Sequence, residues 1–364
     1  LAMCGILAEN PARRQKPPAR QRAMGYTPPM ARSERHLPMP VKHWSRAGLL
    51  LTRWCNARCA ACYLSCRPAA SDALGLDEAL AYWAQLADAS PHGCRIHLTG
   101  GEPFGDWEAL IQLCRQARRA GLGGLEKVET NAFWATDEDL CRQRLGELDA
   151  CGMGKLTISA DPFHQAHVPI DRPRRLAAVA RDLLGAGRVN VRWADWLEEG
   201  FDLLEMSDPR RRAVYADWLA RGRDRLLARA AGLGGLLNRR PMEAYAEKPC
   251  REPLLRGKHV HVLPGGELLP GTCAGILVGR LGPDTTAAEQ WQRLDGDHAE
   301  RKVLAALVDG GPVALAELAA EGGWSPDPIG YASACQLCWS VRSALWAQGR
   351  GGGELGPDWL YEAD

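Results

Sequence analysis

From Ala47 onward, short runs of β-type residues alternate with longer amphipathic stretches. That rhythm restricts the chain to an α/β architecture with a parallel sheet. The strand-like runs cover residues 48–52, 95–99, 127–130, 155–160 and 189–193, and stretches 76–89, 107–120, 136–150 and 172–184 between them are each long enough for three or four helical turns. Successive βαβ units close with right-handed crossovers and leave their functional loops after the C-terminal ends of the strands. Polar and glycine-rich residues sit at those points: a cysteine-rich loop after the first strand, Gly100-Gly101-Glu102 after the second, Thr130-Asn131 after the third, Ser159 and Asp161 after the fourth.

The flanking regions read differently. Residues 11–42 hold seven prolines and eight Lys or Arg without an apolar period, so residues 1–45 are expected to form an extended basic arm. A helical stretch over 209–237 is expected to end a first folded region, 46–240. In a second region, 241–348, residues 258–270 alternate around Pro-Gly-Gly as a hairpin bracketed by Cys250 and Cys273. Helical patterns at 286–307 and 313–320 come next, and the Cys335 and Cys338 pair opens a last helix. The Gly351–Gly353 run reads as a linker to an exposed flexible tail, 349–364.

The 364 residues are 46% hydrophobic, enough for a full core. With 45 Lys+Arg against 44 Asp+Glu, the net charge of +1 provides no field to recruit nucleic acid or an anionic membrane. No apolar run approaches the roughly 20 residues of a membrane span, and no signal-peptide pattern opens the chain. A soluble cytoplasmic protein is expected, in which thiols stay reduced and free to bind metal.

Thirteen cysteines in a chain of this length produce a Cys-x3-Cys-x2-Cys spacing by chance on the order of 0.02 times, and a bare Cys-x2-Cys about 0.5 times. The triple Cys55, Cys59 and Cys62 is therefore the informative one. Three soft ligands in one short loop suit an iron-sulfur cluster with one iron open, whereas structural zinc takes a closed set of four, which Cys66 can complete. The carboxylate of Glu102, an acceptor only, can pair with an ammonium group.

The run Cys55-Asn56-Ala57-Arg58-Cys59-Ala60-Ala61-Cys62, with Thr99-Gly100-Gly101-Glu102-Pro103 about 40 residues later, resembles the signature of the radical S-adenosylmethionine (SAM) superfamily. Ala61 stands where many members carry an aromatic residue, and Tyr63 comes directly after the third cysteine. The resemblance implies a partial (β/α)6 TIM-like barrel over residues 46–240. It also implies a 4Fe-4S cluster on Cys55, Cys59 and Cys62, and a 5′-deoxyadenosyl radical made from SAM. Gly100, Gly101 and Glu102 are then expected to receive the SAM amino group, Asn131 at the end of the third strand to bind the cofactor as well, Ser159 and Asp161 to meet the ribose hydroxyls, and Arg192 to pair with the SAM carboxylate. In the loop Asp161-Pro162-Phe163-His164-Gln165-Ala166-His167, Asp161 and His164 are the candidates for catalysis, by substrate contact or proton transfer.

Cys250, Cys273, Cys335 and Cys338 resemble the auxiliary-cluster extensions called SPASM and Twitch, with enough cysteines for one further 4Fe-4S cluster. Four thiolates also satisfy tetrahedral zinc. The leading expectation is an enzyme that modifies a C–H position of a peptide, by crosslinking, epimerisation or dehydrogenation, fed by an electron donor such as flavodoxin or ferredoxin. A small-molecule substrate such as an aminosugar is the second reading, and a zinc-stabilised binding protein without redox chemistry the third.

Overall fold

The computed structural model describes residues 41–222, 225–271 and 273–362. Six parallel strands form its centre: β1 (Arg46–Leu50), β2 (Arg95–Thr99), β3 (Leu125–Thr130), β4 (Lys155–Ser159), β5 (Val189–Arg192) and β6 (His259–Val262). With the antiparallel β7 (Glu267–Pro270) and β8 (Gly279–Arg280), the sheet order is β5-β4-β3-β2-β1-β6-β7-β8. β1, β2 and β4 are almost continuously buried, which is what a parallel sheet covered on both faces requires.

Helices α1 (Leu76–Ala89), α2 (Trp107–Arg119), α3 (Glu138–Ala150) and α4 (Asp171–Leu184) make the crossovers between the first five strands. Local chemistry sets where two of them begin: Asp106 caps α2 by accepting from the Ala109 amide at 3.0 Å, and Asp137 caps α3 by accepting from Leu140 at 2.8 Å. α2 turns Leu110, Ile111, Leu113, Cys114 and Ala117 inward at helical spacing. After β5 come α5 (Ala194–Glu199) and α6 (Asp208–Ala220), and the C-terminal part adds α7 (Ala287–Asp297), α8 (Lys302–Asp309), α9 (Gly311–Ala320), α10 (Ala334–Ala347) and α11 (Asp358–Tyr361).

Four expectations need correction. The helix expected over 209–237 stops at Ala220, where Gly222 takes φ +70° and its amide donates to the Leu219 carbonyl; the next helical segment, Ala228–Leu236, is a 3-10 helix rich in glycine. The single helical pattern at 286–307 is two helices, α7 and α8. The boundary drawn at residue 240 has no counterpart in the sheet: β6, the first strand of the 258–270 hairpin, pairs in parallel with β1, and one compact unit runs through this point. Of the basic arm assigned to 1–45, residues 1–40 lie outside the described residues, and from Val41 the chain is already docked. Val41 and Trp44 are buried, the Lys42 amide donates to Leu255, and the His43 ring stacks on Trp291 at 3.8 Å.

The described part of the tail, too, is part of the core. Glu354 is 5% exposed and accepts from the Val303 and Leu304 amides at 3.0 and 2.9 Å, which caps α8 from about fifty residues away. Leu355 and Leu360 are buried, and the Trp359 ring lies 3.6 Å from the Arg53 guanidinium carbon. The glycines here loosen the sequence pattern, yet the carboxylate and apolar residues among them supply the docking free energy.

Glu354→Ala strands two buried amides and leaves Arg301, 4.0 Å from Glu354 Oε2, without that carboxylate. The variant is expected to lose on the order of 2–6 kcal/mol, at about 1–3 kcal/mol per stranded donor, in urea unfolding monitored by circular dichroism. A tail without structural weight would leave the midpoint unchanged.

Candidate active site

The loop between β1 and α1 carries Cys55, Cys59 and Cys62 and is held from several sides. Trp54 and Arg67 bridge across its neck, and the Cys62 amide donates to the Cys59 carbonyl at 3.1 Å. Arg229, from the 3-10 segment after α6, donates to the carbonyls of Cys59 and Cys66, both at 3.1 Å. Cys55 and Cys59 are buried, and among the described cysteines none forms a disulfide.

The Gly100-Gly101 turn presses against this loop. The Gly101 amide donates to the Thr52 carbonyl at 2.6 Å and the Glu102 amide to Trp54 at 2.9 Å. A Cβ on Gly101 would stand 2.0 Å from the Trp54 carbonyl oxygen, so the two backbones touch only because there is no side chain between them.

One cavity opens where these loops meet, at the C-terminal ends of the parallel strands. Cys55, Cys59 and Cys62 line it from the first loop, Gly100 and Gly101 from the second, Asn131 from the third, Ser159, Asp161 and His164 from the fourth, and Arg192 from the end of β5. Ten residues singled out on spacing and resemblance thus share one wall. Cys66, Tyr63, Glu129 and Phe163 also line it. Tyr63 supplies an aromatic face next to the alanine at 61.

Glu102 is the exception. It is fully buried and does not line the cavity. Its Oε1 accepts from Thr130 Oγ1 at 2.8 Å and from the Phe104 amide at 3.1 Å, and its Oε2 accepts from the Asn131 amide at 2.7 Å. Three of about four lone-pair positions are used by the protein itself. The residue expected to receive an ammonium group ties the loop after β2 to the end of β3. Burial pushes its carboxyl up to about 7, against the pull of the three donors.

The cysteine thiols respond to the same burial. It pushes Cys55 up to about 12 and raises Cys59, whereas the Cys62 thiol is lowered, first by a hydrogen bond from Cys66 and then by the Cys66 and Leu64 amides. Asn131 Nδ2 lies 3.6 Å from Cys55 Sγ and 2.8 Å from Asn56 Oδ1. Asp161, expected to meet ribose hydroxyls, is also largely committed. It accepts from the Phe163 and His164 amides at 3.0 and 2.9 Å, and its Oδ2 lies 2.7 Å from His164 Nδ1. Burial alone would lower the His164 pKa, but the Asp161 carboxylate overrides it and holds the imidazole above its ordinary value. His167, on the same loop, does not line the cavity.

The second cysteine set converges as well. Cys250 is anchored through its amide to Leu307 of α8, Cys273 comes after β7, and Cys335 and Cys338 lie in the first turns of α10, which Ser333 caps at 3.1 Å. Burial pushes Cys250 up to about 12 and Cys273 to about 11, and the charges of other cysteines of the set add to each shift. Arg342 and Arg225 oppose the rise at Cys273; Arg342, itself buried, donates to the Ala274 carbonyl at 2.7 Å. Thiolates on a single tetrahedral zinc lie about 3.8 Å apart. Among the described residues, no three cysteine sulfurs lie within 4.8 Å of one another. Three thiols on one loop and four in the second set supply the soft donors that an iron-sulfur group takes.

The set that does meet that limit was not singled out: His97, His259 and His261. Burial holds His97 down at about 2 and His259 at about 3, so the rings are uncharged at neutral pH. The available signal was His-x-His on a strand, which puts both rings on one face.

No protein-family model matches the chain, and no curated protein does. Among solved structures, 75% of the chain aligns with 90% of BtrN in complex with AdoMet and 2-DOIA, at 17% identity and a TM-score of 0.44. It also aligns over 83% with 97% of native anSMEcpe with bound AdoMet and Cp18Cys peptide (14% identity, TM-score 0.41), and over 73% with 66% of Streptococcus suis SuiB bound to S-adenosylmethionine (12% identity, TM-score 0.37). At such TM-scores the likeness carries no argument, and the reading of the cavity rests on its own residues.

The Glu102 carboxyl has a testable signature. Its folded pKa, about 7, lies above the ordinary value of 4.5. Between those values the folded state holds a proton that the unfolded state has lost, so stability falls as pH rises through this window. Relative to Glu102→Gln, which has no such titration, the wild type is expected to lose about 3 kcal/mol between roughly pH 4.5 and pH 7, read from urea unfolding of both proteins across the range. Parallel pH profiles would remove Glu102 as a buried titrating group.

Proposed function

We propose that this chain is a radical SAM enzyme. Cys55, Cys59 and Cys62 hold a 4Fe-4S cluster with one iron open to S-adenosylmethionine, and Cys250, Cys273, Cys335 and Cys338 hold an auxiliary 4Fe-4S cluster. The observation that carries the reading is the single cavity onto which the three-cysteine loop, the Gly100-Gly101 turn, Asn131, Ser159, His164 and Arg192 all open. With a cluster bound there, its reduced form would supply the electron that splits the SAM sulfonium bond, and with it the means to take hydrogen from a C–H bond.

The chain's own residues do the rest. Asn131 directs an amide N–H at the Cys55 sulfur and draws charge from it, one of the levers on a cluster's potential. The Arg192 fork suits the carboxylate of the methionine portion, and the Ser159 hydroxyl can donate to or accept from ribose oxygens. Asp161 is a positioning residue. It fixes the Nδ1 proton of His164 and so presents that imidazole to the cavity as a group able to hold or pass a proton.

The substrate proposed is a C–H position of a peptide, on the resemblance set out above, with an electron donor such as flavodoxin or ferredoxin. A small molecule such as an aminosugar is the other outcome of the same assay. Anaerobically reconstituted protein is expected to hold about eight irons per chain and to release 5′-deoxyadenosine from SAM under dithionite. Replacing Cys55, Cys59 and Cys62 together by Ala should leave about four irons and abolish that release; Cys338→Ala should also leave about four yet still cleave SAM. A colourless protein that carries zinc and no iron, or a triple variant that still cleaves SAM, overturns the proposal.

A further inference from the structure

Apart from the cysteine sets, three histidines from two strands meet over a glycine. His97 on β2 and His261 on β6 stand opposite Gly48 of β1, in one row of the sheet. A Cβ on Gly48 would lie 2.4 Å from His261 Cδ2 and 2.5 Å from His97 Nε2. The missing side chain is what lets rings from the strands on either side lean together. His259, two residues before His261, projects to the same face; its ring centroid lies 4.9 Å from that of His97 and 4.5 Å from that of His261. A nitrogen of each ring lies within 4.8 Å of the other two.

Two further observations concern where those nitrogens point. His261 Nδ1 lies 2.6 Å from the Gly271 carbonyl oxygen, which can only accept, so the ring proton is on Nδ1 and Nε2 keeps a bare lone pair. This is the outer hydrogen bond that metal-ligating histidines commonly make. His259 Nε2 is buried without a hydrogen-bond partner, which is uncommon for a buried polar atom. Lys127 and Glu129, whose charges reach the three rings, are paired with each other, so their charges offset.

We propose that His97, His259 and His261 form a mononuclear site for a borderline divalent transition-metal ion, zinc in the first instance, with the fourth position left to water. Imidazole nitrogens suit such ions. On tetrahedral zinc they lie about 3.4 Å apart, so the rings need to close by about 1.4 Å at most, a matter of side-chain rotation. The ion would pin β6 to β2 across β1. The inference does not depend on the function proposed above, since it draws on none of the cysteines.

The test uses the full chain, prepared anaerobically with its cysteine sites loaded with iron, given one equivalent of zinc chloride and desalted. Metal analysis is expected to find about one zinc per chain. X-ray absorption at the zinc edge should show a nitrogen and oxygen shell near roughly 2.0 Å with the outer scattering of imidazole. The double substitution His97→Asn and His261→Asn should lower retained zinc at least about tenfold while iron content stays unchanged. Zinc that washes out of the wild type, a sulfur shell near roughly 2.3 Å, or full retention by the variant each overturns the site. If the variant does not fold, the wild-type spectrum alone decides.

Discussion

A single buried carboxylate holds the mouth of the sheet together. Glu102 makes three hydrogen bonds, to the Phe104 amide of its own loop and to Thr130 and Asn131 at the end of β3. Its own amide bonds to Trp54, one residue before Cys55. Three strand ends are thus fixed to one another through one residue, with the Gly100-Gly101 backbone close enough to the cysteine loop that a methyl group would collide. Such bracing suits a site in which three thiols must face one point, because thiol-bearing loops have little stiffness of their own. The carboxylate is held in place at the expense of its solvation, which is why its titration lies so far from that of an exposed glutamate.

Much of this was legible in the sequence, and the remainder was hidden for physical reasons. Period-2 and period-3.6 patterns located β1 to β5 and α1 to α4, because there local propensity and tertiary packing agree. The cysteine loop and the glycine turn were legible because their chemistry depends on spacing. β6 was read as half of a separate hairpin, since nothing in residues 259–262 tells which neighbour an apolar strand will pair with, and β1 is about two hundred residues away. The docked tail was hidden by its glycines, which signal flexibility locally and cannot reveal that Glu354 has two amides to cap. Glu102 was seen as a candidate, but its bracing role was hidden: two of its donors, Thr130 and Asn131, lie about thirty residues downstream, and only the fold brings them close.

The two cysteine sets share a strip of chain. Arg229, which bonds to the backbone of the first cysteine loop, lies four residues beyond Arg225, whose guanidinium approaches Cys273 Sγ at 4.0 Å. The segment between α6 and β6 therefore touches both cysteine sets. It is built of short 3-10 and π-helical turns, with no α-helix among its described residues.

Arg53 lies two residues before Cys55, and its guanidinium is held between Asp72 at 2.6 Å and the ring of Trp359. The sequence distance between Arg53 and Trp359 is about three hundred residues, so this is a contact of very high order, formed late in any folding sequence governed by loop closure. On a ribosome the chain emerges from its N-terminal end, and the cysteine loop is exposed long before the indole that seats its neighbour exists. The arrival of Trp359 therefore divides the life of the three thiols in two: before it they sit on a loop whose neighbouring Arg53 is held from one side, and after it on a loop whose Arg53 is held from both.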